Sequence, residues 1–140
     1  DEIDWENRIW SVPPERRKDQ KPYPHRVPLS DQAIELLKSI EKKGDHIFGV
    51  SEESLGSRYT LTLLLKRLTG TTATMHGFRS TFRDWAAENG VPDIVAEKCL
   101  MHTTGNAVVQ AYQRSDLLEQ RREVMQQWAD AVFSGVSSAA

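Results

Sequence analysis

Cysteine is nearly absent from this sequence, since the 140 residues include only Cys99. A single thiol cannot close a disulfide within the chain, and no Cys and His pairs stand at the spacing of zinc ligands. Long apolar runs are also lacking, and the first residues are acidic and aromatic. We therefore expect no structural metal, no signal peptide and no membrane span, and we expect a soluble protein in a reducing cytoplasm.

A basic excess is lacking as well, because 18 Lys and Arg face 20 Asp and Glu and give a net charge of −2. Taken alone, this balance argues weakly against a nucleic-acid partner. The basic residues are, however, concentrated near the start of the chain, where six of them stand against Glu15 and Asp19: Arg8, Arg16, Arg17, Lys18, Lys21 and Arg26. This stretch is either an edge that meets a phosphate backbone or a solvated loop, and charge alone favours the loop.

The start of the chain has the alternation of apolar and polar residues that is typical of strands. With 39% apolar and 27% charged residues, the chain has the composition of one globular domain. Residues 2–5 and 8–12 alternate on either side of a turn at Asn7, and 25–29 form a third short stretch. Its prolines, Pro24 and Pro28, place that strand at an edge. We expect a small three-stranded antiparallel sheet.

Helical spacing dominates after Leu29. Ser30 is a plausible N-cap for a helix with Ala33, Leu36, Leu37 and Ile40 on one face, and Gly44 is expected to end it. Further helices are expected at 53–68, at 76–89 before Gly90, after Pro92, briefly around Val108, and at 115–133 before Gly135. The fold class is therefore α+β and mainly helical, a small sheet followed by a helical bundle. Residues 136–140 are expected to form a disordered tail.

The helix that begins at His76 separates two kinds of side chain. Its apolar face carries Phe78, Phe82, Trp85 and Ala86, and another face carries His76, Arg79 and Arg83. His76 and Arg79 stand near the helix N-terminus, where the helix dipole favours an anion such as phosphate. An isolated His-x-x-Arg is nevertheless more often a capping histidine and a solvated arginine.

Two further polar residues stand later in the chain. His102 follows an apolar helix and precedes the turn at Gly105 and Asn106, so it lies at the end of an element, where side chains often face a site. Tyr112 follows Val108 by four residues, which is the usual spacing of a core tyrosine. Neither residue is strong evidence for a site by itself.

Taken together, these residues resemble the tyrosine recombinase family, and most closely the phage and prophage integrases. The resemblance is carried by His76-Gly77-Phe78-Arg79, Leu100-Met101-His102 and Ala111-Tyr112-Gln113-Arg114, in this order and spacing. It extends over nearly the whole chain and includes residues 2–5, 27–30, 82–86 and the stretch from Arg121 to Ala129.

The resemblance implies a role for each site residue. Tyr112 is implied as the nucleophile, Arg79 and His76 as the arginine and histidine of the His-x-x-Arg motif, and His102 as the later histidine. A lysine is expected in the turn of the sheet, where Lys18 fits best and Lys21 is the alternative. Met101 stands where such integrases often have Gly or Ala. The family's first arginine and its DNA-clamping domain have no counterpart in residues 1–140, so we expect the catalytic domain of a longer recombinase, inactive alone.

The implied function is site-specific DNA recombination or integration, by transesterification through a 3′-phosphotyrosyl intermediate. No cofactor and no metal are expected. The expected partners are double-stranded DNA attachment sites, a homotetramer on DNA and possible DNA-bending accessory proteins, with a monomer in isolation and a location at the bacterial nucleoid. We expect His76, Arg79 and His102 to converge on one basic concavity, with Tyr112 close by or on a mobile segment. The last helix has a stripe of Leu117, Val124, Trp128 and Val132 and can dock on its own domain or on a neighbouring subunit; in isolation we expect it to fold back.

Three other functions remain open at this point. The chain could be a DNA-binding or assembly module without catalysis, or a type IB topoisomerase that shares the chemistry. A metal-dependent nuclease using His76 and His102 is the third, and it is disfavoured because no carboxylates cluster near either histidine in the sequence.

Overall fold

A computed structural model of the protein describes residues 2–17, 21–41, 47, 58–102 and 115–137. It confirms an α+β, mainly helical fold that begins with a small sheet. The strands are β1 (Ile3–Asp4), β2 (Ile9–Val12) and β3 (His25–Pro28). The helices are α1 (Asp31–Ser39), α2 (Arg58–Thr69), α3 (Gly77–Glu88), α4 (Asp93–Cys99) and α5 (Leu118–Ser137), and a short 3-10 turn covers Pro14–Arg16.

The sheet is antiparallel with the strand order β1-β2-β3, as predicted. Ile3 pairs with Trp10, and Val12 pairs with His25. The turn between β1 and β2 is closed by the Asp4 carboxylate, which accepts hydrogen bonds of 2.8 Å from the backbone and side-chain nitrogens of Asn7. These bonds stabilise the charged carboxylate and lower the pKa of Asp4. β3 is an edge strand, which agrees with its prolines.

The helix ends follow the predicted capping residues in part. The Ser30 hydroxyl accepts a hydrogen bond of 3.2 Å from the Ala33 N–H, so Ser30 is the N-cap of α1. Gly90 has a positive φ of 70° and ends α3. Gly135 does not end α5, which continues to Ser137, and the structure records no left-handed backbone at this glycine. A glycine inside a helix costs roughly 0.5–1 kcal/mol, which a 20-residue helix tolerates.

Two predicted helix ends and one predicted helix lie outside the described residues. These are the stop at Gly44, the start at residue 53 and the short helix around Val108. α1 itself ends at Ser39, before Gly44 is reached. Its buried residue is Ile34, whereas Leu36 is 57% exposed, so the predicted face of α1 was wrong in this detail. α5 contacts α1, and Leu36 remains on the exposed side of α1.

The main core lies between α3, α4 and α5. Its buried members are Phe82, Ala86, Val95, Ala96 and Val124. The rings of Phe82, Trp85 and Trp128 form an aromatic cluster with centroids 5.2–6.0 Å apart, a separation at which tilted and edge-to-face pairs are favourable. Phe78 was expected in this core but is 54% exposed, and the first fully buried side chain of α3 is Phe82.

The last helix folds back on its own domain, as predicted. α5 contacts α4, β3 and α1. The Gln126 side chain accepts a hydrogen bond of 2.9 Å from the Asp31 N–H and donates one of 2.9 Å to Gln32. Val124 of the predicted stripe is buried, whereas Val132 is 43% exposed and lies beyond the packed part of the helix.

Replacing Ser30 by alanine is expected to lower the free energy of unfolding by about 1 kcal/mol, because the Ala33 N–H loses its acceptor. Urea denaturation followed by circular dichroism measures this change. The matched control is Ser39→Ala, since the Ser39 hydroxyl only donates to the Leu36 carbonyl within the same helix. The control should change stability by less than about 0.5 kcal/mol. Equal losses in the two variants would contradict the capping role of Ser30.

Candidate active site

His76, Arg79 and His102 line one open pocket of about 210 Å³. The first two residues come from the start of α3 and the third comes from the end of α4, so the pocket lies where these two helix ends meet. The other lining residues are Ser80, Arg83, Asp84 and Leu100. The convergence that we expected from the sequence is therefore present.

Two of these side chains are placed by the first turn of α3. Thr74 holds this turn, because its hydroxyl accepts a hydrogen bond of 3.1 Å from the Gly77 N–H. The backbone N–H of Arg79 donates to the His76 carbonyl at 3.0 Å, which brings the two residues onto neighbouring positions of one turn. The Arg79 guanidinium donates to the Leu100 carbonyl at the end of α4. This bond fixes the arginine against the second helix.

His102 is placed by the way in which α4 ends. The His102 N–H donates to the Glu97 carbonyl at 2.9 Å, the Met101 N–H donates to the Lys98 carbonyl at 3.3 Å, and Met101 has a φ of 54°. This is the Schellman arrangement of a helix C-terminus, which usually places glycine in the left-handed position. A side chain there costs roughly 1–2 kcal/mol, which gives a physical reason for the glycine, but not for the alanine, that the resemblance implies at position 101.

Glu97 links two residues of the pocket, and the sequence analysis did not single it out. Its carboxylate lies 2.9 Å from His102 Nδ1 through Oε2 and 3.0 Å from Arg83 Nη1 through Oε1. The contact with Arg83 is an ion pair, although Nη1 is not aligned for a hydrogen bond. Arg83 also lies 3.5 Å from Asp93. Glu97 could have been found from its position five residues before His102, because a Schellman ending brings residues at this spacing together.

The charge of the pocket favours an anion. The Arg83 charge is compensated by Glu97, whereas no carboxylate among the described residues forms an ion pair with Arg79. Arg79 therefore offers guanidinium donors that suit phosphate, and the two imidazoles can each donate or accept a hydrogen bond. In the parts of the chain that the structure covers, no group of three metal-binding side chains occurs. The arrangement is suited to an anion such as a phosphodiester, and its imidazoles are groups that can transfer a proton.

The two other predicted site residues, Lys18 and Tyr112, lie outside the described residues. Lys21, the alternative lysine, is described and lies close enough to Lys98 for its charge to affect that residue. Burial lowers the pKa of Lys98, the charge of Lys21 lowers it further, and Asp116 opposes both. Lys98 Nζ donates a hydrogen bond of 2.6 Å to the Ser115 carbonyl. Residues of α4 therefore form hydrogen bonds both with His102 and with Ser115.

Arg121 of α5 contacts the elements that surround the pocket. It is only 1% exposed and donates to the Arg26 carbonyl of β3 at 2.6 Å and to the Asp116 carbonyl at 3.4 Å. Burial lowers the pKa of Arg121, and burial raises the pKa of the Cys99 thiol, which Arg121 partly opposes as its neighbour. Arg121 therefore joins the sheet, α4 and the start of α5 into one support for the pocket.

The fold and this pocket define a class of protein: a mainly helical domain with a small antiparallel sheet and a His-Arg-His group suited to a phosphodiester. The chain belongs to the phage integrase family, whose model matches residues 1–119.

None of the helices in the described parts of the chain combines the length and apolar character that crossing a membrane requires.

Relatives with integrase names match nearly the whole chain. Prophage integrase IntA of Escherichia coli K12 is 38% identical over 138 residues, covering 94% of this chain and 33% of its own. The integrase of Shigella phage Sf6 is 35% identical and covers 91% of this chain and 34% of its own. The integrase of Enterobacteria phage P4 is 31% identical, with 93% and 34% covered. The chain therefore spans about a third of the length of these relatives. No solved structure was found to match it.

Proposed function

We propose that this chain is the catalytic part of a site-specific DNA recombinase that works by transesterification through a 3′-phosphotyrosyl intermediate. The observation that carries this proposal is the convergence of His76, Arg79 and His102 on one pocket. These three residues come from separate motifs, and a purely structural role gives no reason for them to share an opening. Family membership agrees with this reading.

The proposed first step forms a bond between the Tyr112 oxygen and a DNA phosphorus and breaks the bond from that phosphorus to the 5′ oxygen. The phenol has an ordinary pKa near 10, so it must lose its proton as it attacks, and His76 or His102 accepts that proton. Lys18 is proposed to protonate the departing 5′ oxygen, with Lys21 as the alternative. Arg79 stabilises the charge that develops on the non-bridging oxygens.

The second step reverses the first with a different strand. A 5′-hydroxyl of the partner strand attacks the phosphotyrosine and forms the new phosphodiester as the bond from phosphorus to the tyrosine oxygen breaks. The hydroxyl proton passes to Lys18, and the histidine returns its proton to Tyr112. Each bond that is broken is replaced by one of the same kind, so the exchange conserves bond energy and needs no ATP. The residues named here supply all the proton transfers.

The placement of Ser115 supports the part proposed for Tyr112. Ser115 is held against α4 by the 2.6 Å bond from Lys98 to its carbonyl. Tyr112 stands three positions before Ser115, and three extended residues span at most about 11 Å. The length of the chain therefore allows Tyr112 to reach the end of α4, where His102 lies.

The wider assembly is part of the proposal, because the chain spans about a third of its relatives. We propose that the whole protein binds double-stranded attachment sites and recombines them as a tetramer, with DNA-bending accessory proteins and in the bacterial nucleoid. We propose that residues 1–140 alone are a monomer. With fewer phosphate contacts than the whole protein, residues 1–140 alone are expected to bind DNA more weakly and with a shallower dependence of affinity on salt.

The proposal is tested by trapping and mapping a covalent adduct. The chain, extended upstream to the length of its relatives, is incubated with a nicked attachment-site duplex, and adducts that survive denaturation are digested and sequenced by mass spectrometry. We expect a nucleotide remnant on the peptide that contains Tyr112. Residues 1–140 assayed alone should give no adduct. DNA binding without any adduct in the extended protein would instead favour a non-catalytic DNA-binding module. DNA cleavage that leaves no adduct and requires added metal would favour a nuclease.

A further inference from the structure

We propose that Glu97 is a positioning residue, which holds His102 in the tautomer that carries its proton on Nδ1 and turns Nε2 to the pocket. The observations that carry this inference are the 2.9 Å contact of Glu97 Oε2 with His102 Nδ1 and the placement of His102 in the pocket wall. The effect of Glu97 on catalysis rests on the proposed function, whereas the assignment of the His102 tautomer rests only on the contact with Glu97.

The Glu97 carboxylate has one charged or polar partner at each of its two oxygens. Its side chain is 13% exposed, in contrast to 48% for His102. Arg83 takes Oε1 at 3.0 Å, which leaves Oε2 for the imidazole. The backbone bond from the His102 N–H to the Glu97 carbonyl fixes the two residues relative to one another. The pair is thus joined through both backbone and side chain.

An ionised carboxylate only accepts hydrogen bonds, so the imidazole nitrogen that faces it has to be the donor. A neutral imidazole has one N–H, and a partner at one ring nitrogen therefore decides where the proton lies. With the proton on Nδ1, the lone pair of His102 is on Nε2. This nitrogen is then ready to accept a proton, and the same carboxylate stabilises the imidazolium that results.

The other charged groups near this pair do not offer a competing partner. Arg83 contacts the other oxygen of Glu97, Oε1, and its guanidinium has only hydrogen-bond donors, so it cannot accept a hydrogen bond from His102. Asp93 contacts Arg83 at 3.5 Å and is 89% exposed. Asp93 therefore provides a matched control, because it touches the same arginine as Glu97 without touching the histidine.

The tautomer is measured on the full chain by long-range proton–nitrogen NMR of ¹⁵N-labelled histidines, at a pH where the rings are neutral. We expect His102 to be Nδ1-protonated in the wild type. In Glu97→Ala it should change to the Nε2-protonated form that free imidazole side chains prefer in water, whereas Asp93→Asn should leave it unchanged. His76 serves as an internal reference. Circular dichroism establishes that each variant is folded.

An Nε2-protonated His102 in the wild type, or an Nδ1-protonated His102 in folded Glu97→Ala, would overturn the inference. A second readout uses the upstream-extended protein. Glu97→Gln should slow adduct formation at saturating DNA by about tenfold or more while the Kd for DNA is unchanged, because the lost effect belongs to proton transfer. Unchanged tautomers in the variants refute the role of Glu97, whereas changed tautomers without any adduct in the wild type refute the proposed function alone.

Discussion

Tyr112→Phe is expected to abolish the covalent protein–DNA adduct completely in the upstream-extended protein, while the affinity for the attachment site stays within about twofold. The change removes one oxygen and keeps the ring, so the side chain keeps nearly its whole shape and no charge is altered. Without the phenol no group remains that can form the phosphotyrosine bond. Denaturing gel electrophoresis of labelled DNA measures the adduct, and gel mobility shift measures binding.

Tyr23→Phe is the matched control for this experiment. Tyr23 is 55% exposed, and its ring lies 5.1 Å from the Arg17 guanidinium, a contact that phenylalanine preserves. This variant should form adduct at the wild-type rate. An adduct that persists in Tyr112→Phe would remove Tyr112 as the nucleophile and with it the proposed mechanism.

Arg79→Lys is expected to slow adduct formation by roughly a hundred- to a thousand-fold, which corresponds to about 2.7–4 kcal/mol of lost transition-state stabilisation. Lysine keeps the charge but loses the planar fork of donors. Arg79 already donates to the Leu100 carbonyl, so its remaining N–H groups are held in a fixed direction, which a flexible ammonium does not reproduce. Single-turnover kinetics at saturating DNA measures this rate.

Arg67→Lys makes the same exchange on the exposed last turn of α2, outside the pocket, and should leave the rate unchanged. A thermal melt tests whether loss of the bond to Leu100 loosens the fold in Arg79→Lys. If the folded Arg79→Lys protein forms adduct as fast as the wild type, Arg79 has no part in stabilising the transition state.

The sheet and most of the helix starts could be predicted because local rules determine them. The period-2 alternation identified β1 and β2, and a serine before an apolar helix face identified the start of α1. Errors occurred where the outcome depends on neighbours. Phe78 and Leu36 lie on faces with the expected spacing, but burial requires an opposing element, and the sequence does not say where along a helix that element ends.

The candidate site shows the same division between local and distant information. His76 and Arg79 could be paired from their spacing in one helix, and the resemblance added His102. Glu97 was missed because helical spacing connects residues three or four apart, whereas a Schellman ending brings together residues five apart. Lys18 and Tyr112 lie outside the described residues, so their roles stay predictions.

The docking of α5 on the sheet has a consequence for how the protein forms on the ribosome. The hydrogen bond from Arg122 to the Asn7 carbonyl joins residues 115 positions apart, and that between Asp31 and Gln126 joins residues 95 apart. A nascent chain that ends before Leu118 has made the sheet and α1 but not the helix that covers them. Distant contacts of this kind slow folding and leave apolar surface open to aggregation meanwhile. The sheet and α1 thus depend on a helix that is synthesised later to cover them, and chaperones have most opportunity to act in that interval.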